Sequence, residues 1–193
     1  MIEIVLASSN AHKVEEINAI ANQYGVNFIK VQEGFDPIED GNTFEENSFI
    51  KAKEASLLMN RYALADDAGL CVDALDGAPG IYSARYAPTQ QEKISKLLNA
   101  IKNETLENRT AHFVCAMTLT APDGKVAYKT KGICNGKIAF EPYGNGGFGY
   151  DPIFVVDGLN RTMAEFTLEE KNTLSHRAKA LLPMIQWIKE NLK

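Results

Sequence analysis

The sequence predicts a mixed-sheet α/β fold, and three observations lead to that class. Short apolar runs alternate with amphipathic helical segments over the first hundred residues, which is typical of α/β proteins. Two further apolar runs then flank a Pro-Asp-Gly turn, which predicts a β-hairpin. The chain has 193 residues, 45% of them hydrophobic and 23% charged, so it is long enough for one domain (1–193) with its own core.

The first fifty residues are predicted to form a strand, a helix and a second strand. Ile2–Ala7 is a continuous apolar run, as expected for a strand that is buried on both faces. Ser8, Ser9 and Asn10 are candidate N-caps for a helix that extends to about Tyr24, and Gly25 ends it. Val26–Val31 is the second strand.

A helix and a short strand are predicted next. Glu33–Asn42 is an acidic loop, and Thr43 to Glu46 matches the S/T-x-x-E capping box. The helix therefore runs from Phe44 to about Asn60, and a short apolar strand, Tyr62–Ala65, ends at two aspartates.

The second half is predicted to contain two helices, the hairpin and a short strand. These elements are a helix at Gln90–Lys102, strands at Ala111–Thr120, Lys125–Cys134 and Pro152–Val156, and a final helix at Ala178–Leu192. Thr167 and Glu170 form another capping box. Pro183 lies inside the last helix and is expected to kink or shorten it.

Composition excludes several classes of protein. The net charge of −5 argues against a broad nucleic-acid-binding surface, so an anionic ligand requires a local cluster of cations. No apolar run is long enough to span a bilayer, and the N-terminal run contains Glu3, which favours a strand over a signal peptide. Cys71, Cys115 and Cys134 are widely spaced, which suits buried thiols in a reducing cytoplasm.

The first chemical candidate is the junction between the first strand and helix. Small polar residues at a helix N-terminus let a phosphate approach unpaired N–H groups, and Lys13 adds a full charge one turn further on. The alternative is an ordinary N-cap with a surface lysine. The P-loop pattern is absent.

The second candidate is acidic. Asp66 and Asp67 follow a buried strand, and because adjacent strand residues point to opposite faces, only one is expected to face a given cleft. That carboxylate could bind Mg²⁺ or accept a proton, whereas the alternative is a solvated turn. Asn47 and Lys51 share a helix face, and Glu46 is interpreted as the capping-box partner.

The third candidate lies near the C-terminus. Gly144–Pro152 is glycine-rich, and its Phe148 and Tyr150 could stack on a planar base or, alternatively, fill the core. The stretch from Lys171 to Arg177 concentrates hydrogen-bond donors near a helix start. His12 and His112 are interpreted as structural or solvent-facing.

Together these motifs resemble the inosine/xanthosine triphosphate pyrophosphatase family, also called Ham1-like or RdgB-like. The matching stretches occur in family order over nearly the whole chain, and they are Ser8–Lys13, Thr43–Ala52, Ala65–Leu70, Gly77–Tyr86, Gly146–Pro152 and Glu170–Arg177. The resemblance implies a long twisted mixed sheet flanked by helices, with two lobes around a central nucleotide cleft. It also implies Mg²⁺-dependent hydrolysis of ITP, dITP and XTP to monophosphate and pyrophosphate, in a cytoplasmic homodimer.

The resemblance also assigns roles to residues. Substrate would be bound by Ser8, Ser9, Asn10, Ala11, His12, Lys13, Lys51, Ala68, Arg85, Phe148, Gly149, Tyr150, Asp151, Lys171, His176 and Arg177. Glu39 and Asp67 would coordinate Mg²⁺, with Asp67 also the general base or water-positioning group; Asp40 is the alternative to Glu39. The family often has serine where Ala68 stands, so a contact there could use only the backbone.

Three other functions compete with this prediction. One is a Maf-like pyrophosphatase acting on pyrimidine or modified nucleotides, against which the segments Gly146–Pro152 and His176–Arg177 argue. Another is a nucleotide sensor without turnover, and the third is nucleic-acid binding, which the net charge disfavours. No stable nucleic-acid complex and no membrane association are expected.

Overall fold

The computed structural model describes residues 2–192 and has a six-stranded mixed sheet with helices flanking it. The strands are β1 (Ile2–Leu6), β2 (Val26–Lys30), β3 (Ala63–Val72), β4 (Thr110–Thr120), β5 (Val126–Ile138) and β6 (Phe154–Val156), in the order β2-β1-β3-β4-β5-β6. The helices are α1 (Ala11–Ala21), α2 (Phe44–Met59), α3 (Gln90–Ala100), α4 (Leu168–Leu174) and α5 (His176–Asn191). Short 3₁₀ segments cover Asn22–Tyr24, Asp73–Leu75, Gly80–Arg85, Leu106–Asn108, Asp151–Ile153 and Met163–Glu165. The predicted α/β class with a mixed sheet is confirmed.

The chain divides into two compact units. The first unit contains the residues up to Asp67, Cys115–Gly132 and the residues from His176 onward, and the second contains Ala68–Val114 and Ile133–Ser175. The boundaries fall inside β3, β4 and β5, so each of these strands contributes residues to both units.

In the first unit, β1 pairs in parallel with β2 on one side and with β3 on the other. One core cluster there combines Val5 of β1 and Ala7, which directly follows the strand, with alanines of α2 and β3, all fully or almost fully buried. Small side chains at these positions allow the helix backbone to approach the sheet closely. Such packing fixes the position of α2, which carries several of the candidate site residues.

Local capping determines where α1 and α2 begin. The side chain of Asn10 accepts hydrogen bonds from the backbone N–H groups of His12 and Lys13, so Asn10 is the N-cap of α1. Thr43 caps α2 by accepting from the N–H of Glu46, and the Glu46 carboxylate accepts from the N–H of Asn42 at 2.6 Å. Glu46 therefore contributes to the helix start, but its carboxylate bonds the residue before the N-cap, so the predicted reciprocal capping box of Thr43 and Glu46 is only half formed.

The last helix differs from its prediction. It is continuous over His176–Asn191 with Pro183 inside, so Pro183 does not shorten it. Gly132 of β5 lies against the first turn of α5, where a Cβ would collide with the backbone carbonyl of His176 and would come within 2.6 Å of the backbone nitrogen of Ala180. Glycine is therefore required for this close approach of strand and helix.

The second unit has its own apolar core around Leu97, Ile153 and Phe154, which are all fully buried. Thr89 and Glu92 form a complete capping box at the start of α3. The guanidinium of Arg109 is buried and donates to the carbonyls of Ile101, Ile138 and Ala139 at 2.8–2.9 Å.

The end of β5 and the start of β6 differ from their predictions. β5 continues four residues beyond Cys134, because Gly136, Lys137 and Ile138 pair antiparallel with β6. β6 itself begins at Phe154, since the residues from Asp151 to Ile153 form a 3₁₀ turn in place of the predicted strand start. Within residues 2–192, no helix is long and apolar enough to cross a membrane.

Candidate active site

Asp66 and Asp67 lie in the middle of β3, and the prediction that the strand ends before them is wrong. β3 continues through Gly69 to Val72, and both aspartates are buried. The alternative of a solvated turn is therefore wrong as well. Charged groups can occupy a buried strand only when they are paired, and each carboxylate here has cationic partners.

Asp66 belongs to a closed network of charges. Its Oδ2 lies 3.0 Å from the ammonium of Lys13 and 3.2 Å from a guanidinium nitrogen of Arg177. Arg177 also pairs with Glu16 of α1. Burial alone would raise the pKa of Asp66, but the charges of Lys13 and Arg177 outweigh it and hold this pKa below its usual range. Asp66 is therefore ionised in the folded protein at neutral pH.

Asp67 has different partners. Its Oδ1 accepts a hydrogen bond from the Lys51 ammonium at 3.0 Å, and its Oδ2 lies 3.4 Å from the side-chain nitrogen of Asn47. Lys51 also lies 3.2 Å from Glu39 of the acidic loop. The two neighbouring aspartates of β3 therefore have different ion-pair partners.

The pKa values around Lys51 reflect one cation shared by several carboxylates. Burial would lower the pKa of Lys51, but Asp67, Asp66 and Glu39 raise it overall, so the ammonium is retained. Burial raises the pKa of Asp67, and the charge of Lys51 only partly offsets this effect. Asp67 is therefore the more basic of the two aspartates, which suits a group that orients or deprotonates water.

The pair Glu39 and Asp67 fits a hard divalent cation. Both carboxylates already converge on a single positive charge, the Lys51 ammonium, so their oxygens can approach one cation position. Mg²⁺ is usually held by one or two carboxylates together with water and substrate phosphates. Within residues 2–192, no group of three or more histidine, cysteine or acidic residues could hold a metal. Asp40 is exposed, whereas Glu39 is half-buried against Lys51, which favours Glu39.

The N-terminus of α1 lies in the same unit. Ser9, Asn10, Ala11 and His12 are exposed, and Ser8 accepts a hydrogen bond from the N–H of Asn10 at 3.3 Å. The amides of His12 and Lys13 are bonded to the Asn10 side chain, and the Lys13 ammonium is held by Asp66. The predicted phosphate contacts of this segment stay a prediction.

The glycine-rich segment lies in the second unit and is tightly held. The Asp151 carboxylate accepts from the N–H of Phe148 at 3.1 Å and from the Lys171 ammonium at 2.9 Å. The Gly149 N–H donates to the side chain of Gln90 at 3.0 Å, and Gly149 has a φ of +63°, which favours glycine. Lys171 is thus anchored to Asp151, and the ring of Phe148 lies 5.7 Å from its ammonium.

The two aromatic residues of this segment have separate environments. Tyr150 is buried in the core of the second unit, and its hydroxyl donates to the carbonyl of Ser83 at 3.0 Å. Phe148 is only half-buried. The alternative of a core aromatic therefore holds for Tyr150, and Phe148 is the ring that retains exposed surface.

The remaining predicted residues are placed as follows. Ala68 is half-buried on β3, and Arg85 is exposed at the end of a 3₁₀ segment of the second unit. His176 is buried at the start of α5, next to Arg177. Cys115 is fully buried, and burial raises its pKa to about 12, so it is an inert thiol.

Sequence reasoning missed two residues of this arrangement. Glu16 pairs with Arg177 across 161 positions, and no local signal marks it beyond its place one turn after Lys13. The sequence marks Gln90 only as the start of a helix, although its side chain accepts a hydrogen bond from the Gly149 N–H. Neither contact leaves a pattern in a single sequence.

The fold and the charged residues of the first unit together define a class of protein. It is an α/β protein in which the carboxylates of Glu39 and Asp67 suit a divalent cation, and the ammonium groups of Lys13 and Lys51 suit a phosphate-bearing ligand. Comparison with known proteins specifies the family. The family model of the Ham1 family matches residues 4–187, and the chain belongs to this family.

Relatives match over nearly their whole length. The dITP/XTP pyrophosphatase of Synechocystis is 44% identical over 188 residues, covering 97% of this chain and 96% of the relative. That of Geobacillus kaustophilus is also 44% identical, covering 97% and 95%. The structure of a HAM1 protein from Coxiella burnetii superimposes with a TM-score of 0.87 at 40% identity, covering 98% of this chain and all of that one. The Staphylococcus aureus Ham1 protein gives 0.85 at 41% identity, covering 97% and 98%.

Proposed function

We propose that this protein hydrolyses non-standard purine nucleoside triphosphates, namely ITP, dITP and XTP, to the monophosphate and pyrophosphate. Relatives 44% identical over nearly the whole chain carry the name dITP/XTP pyrophosphatase. The observation that carries the proposal is the convergence of Glu39 and Asp67 on the Lys51 ammonium. This arrangement provides two carboxylates that can hold a divalent cation and an ammonium group that can bind phosphate oxygens.

The proposed reaction is a direct attack of water on the α-phosphorus. Asp67 orients this water, for which its raised pKa is suited. Lys13 and Lys51 compensate the negative charge of the triphosphate, and this compensation is worth more as charge develops in the transition state. Mg²⁺ held by Glu39 and Asp67 would neutralise further phosphate charge and make pyrophosphate a better leaving group.

From the family resemblance, the choice of base is assigned to Arg177 and His176, and base stacking is assigned to Phe148 as a separate proposal. Hypoxanthine and xanthine present an acceptor oxygen at C6, whereas adenine presents an amino donor there. A guanidinium only donates, so it matches the first two bases and not adenine. Arg177 is rigidly held by Glu16 and Asp66, which suits a residue that must discriminate. The remaining substrate contacts, Ser8–His12, Ala68, Arg85, Gly149–Asp151 and Lys171, are proposed from the family resemblance.

Arg177→Ala is expected to narrow the ratio of kcat/KM for ITP over ATP. Discrimination by a buried hydrogen bond can reach roughly 10⁴-fold, and Arg177→Ala loses the contribution that the guanidinium makes to discrimination between ITP and ATP. Steady-state kinetics with both nucleotides measure the ratio, which cancels any loss of folded protein. An unchanged ratio would remove Arg177 from base selection.

Mg²⁺ as cofactor, a homodimer and a cytoplasmic location are parts of the same proposal. The hard carboxylate oxygens of Glu39 and Asp67 favour Mg²⁺. The cytoplasmic location is proposed from the wide spacing of Cys71, Cys115 and Cys134 in the sequence. Sedimentation analysis tests the dimer.

The decisive experiment measures pyrophosphate release from ITP, XTP, GTP, ATP and dTTP, with Mg²⁺ and with EDTA. We expect Mg²⁺-dependent release that is strongest for ITP and XTP. Strong dTTP hydrolysis would favour a Maf-like enzyme. Binding of ITP without release from any nucleotide would favour a sensor.

A further inference from the structure

The Lys51 ammonium lies where the two proposed metal ligands meet. It is 3.0 Å from Asp67 Oδ1 and 3.2 Å from Glu39, so each carboxylate uses an oxygen to bind this lysine. Lys51 is buried, at 7% exposure. The carboxylates are thus already neutralised in part by a cation that belongs to the chain.

The backbone that carries Lys51 is fixed. One helical turn before it, the Ser48 hydroxyl is 2.8 Å from that of Thr118, and the carbonyl of Ala52 accepts from Thr120 at 2.7 Å. These buried contacts hold α2 on β4 at both sides of Lys51. Any movement of the ammonium away from the carboxylates therefore requires rotation of the side chain, because the helix is held in place.

We propose that Lys51 is an exchangeable counter-ion that occupies the position of the divalent cation until nucleotide arrives. A divalent cation that approaches Glu39 and Asp67 meets the repulsion of the ammonium. The triphosphate removes this obstacle because its oxygens offer Lys51 new charge-assisted hydrogen bonds. The protein alone then binds divalent cations weakly, and the cation enters together with the nucleotide. This inference rests on the proposed function and adds the order in which the site is assembled.

The test measures cation binding without nucleotide. Mn²⁺, which prefers the same oxygen ligands as Mg²⁺, is titrated into the protein, and the free ion is followed by electron paramagnetic resonance. We expect Lys51→Met to bind Mn²⁺ roughly tenfold or more tightly than the wild type, because the competing charge is gone. Lys51→Gln is a second neutral variant in case Lys51→Met does not fold.

Two matched controls separate the exchange from a general change of charge. Lys53→Met removes the same charge from an exposed position of α2, where Lys53 lies over the ring of Phe49, and should bind Mn²⁺ like the wild type. Lys51→Arg keeps the charge and should also bind weakly. Adding Glu39→Gln to Lys51→Met should abolish the gain, which locates the ion at these carboxylates.

The outcomes distinguish this inference from the proposed function, since hydrolysis is assayed separately on the wild type. If the wild type hydrolyses ITP but Lys51→Met binds Mn²⁺ no more tightly than the wild type, the proposed role of Lys51 as an exchangeable counter-ion is overturned and the proposed function stands. Tighter Mn²⁺ binding without hydrolysis by the wild type supports the exchange and contradicts the proposed function. An equal gain in Lys53→Met would also overturn the exchange.

Discussion

Asp66 and Asp67 are neighbours on one strand, but their surroundings are organised in opposite ways. Asp66 is enclosed by two cations, Lys13 and Arg177, and its side chain has no exposed surface. Asp67 must share one ammonium with Glu39 and keeps a small exposed fraction. Burial is common to both, so the number of cations decides that the pKa is lowered at Asp66 and raised at Asp67.

The contrast teaches how one strand can supply both a framework and a reactive group. A carboxylate with an excess of fixed cations is locked as an anion, and its loss affects folding. A carboxylate whose negative charge is only partly balanced by nearby cations has a raised pKa and can change its ion-pair partner, and both properties suit a group that takes part in catalysis. Variants of the two aspartates should therefore fail in different ways.

Asp67→Asn tests the reactive side and should have the largest effect. We expect kcat for ITP to fall roughly 10²–10⁴-fold, because the water loses the group that orients it. The free energy of unfolding should change less than in Asp66→Asn, because folding raises the pKa of Asp67, so its ionised form does not stabilise the fold, and Lys51 keeps Glu39 as a partner. Steady-state kinetics and urea unfolding measure the two quantities, and near-wild-type turnover would remove Asp67 from catalysis.

Asp66→Asn tests the framework side. Lys13 and Arg177 lose a buried partner, and breaking a buried ion pair costs about 3–5 kcal/mol. We therefore expect a much lower midpoint in urea, with the slope of the transition unchanged. Wild-type stability in this variant would show that Glu16 alone suffices to hold Arg177.

The ion pairs of Asp66 should also make the stability of the wild type depend on pH, with a smaller change in the free energy of unfolding than Asp66→Asn causes at neutral pH. Because folding lowers the pKa of Asp66, its ionised form stabilises the fold above the unfolded pKa of about 3.9. This stabilisation is lost as the pH falls through the folded pKa. Between pH 5 and pH 2 the wild type should lose about 2 kcal/mol more than Asp66→Asn, measured by urea unfolding. Equal losses would assign the acid sensitivity to other carboxylates.

What the sequence predicts well is local. Asn10 and Thr43 cap helices through contacts two to three residues away, and such contacts leave a pattern in a single sequence. The burial of Asp66 and Asp67 was not predicted, because it depends on Lys13, Lys51 and Arg177, which come from three different helices. Two aspartates with a glycine close behind, at Gly69, favour a turn locally, and the tertiary ion pairs override that preference.

The same limit applies to aromatic and acidic positions. Tyr150 and Phe148 are two residues apart, and only the fold determines that one enters the core and the other stays half-exposed. Glu39 and Asp40 are adjacent acidic residues of the same loop, so the sequence leaves both as candidate metal ligands. In the structure, contact with Lys51 distinguishes Glu39 from Asp40. The N-caps Asn10 and Thr43, which depend on one turn of chain, are confirmed here, whereas the features that depend on distant partners required the structure.

The smallest predicted effect concerns Asn47, which connects Asp67 to the acidic loop. Its side-chain oxygen accepts from the Gly41 N–H at 2.9 Å, and its nitrogen lies 3.4 Å from Asp67. Asn47→Ala removes both contacts, and a hydrogen bond of this kind contributes about 1 kcal/mol, so kcat/KM for ITP should fall several-fold.

Asn47→Asp separates the two contacts of Asn47, because it keeps the acceptor for Gly41 and places a second carboxylate against Asp67. If the contact with Asp67 matters, this variant should be less active than Asn47→Ala, since the like charges repel. If holding the loop matters, Asn47→Asp should be the more active of the two. Equal and wild-type kcat/KM in both variants would show that Lys51 alone positions Asp67, which would make the ammonium the single determinant of the reactive side.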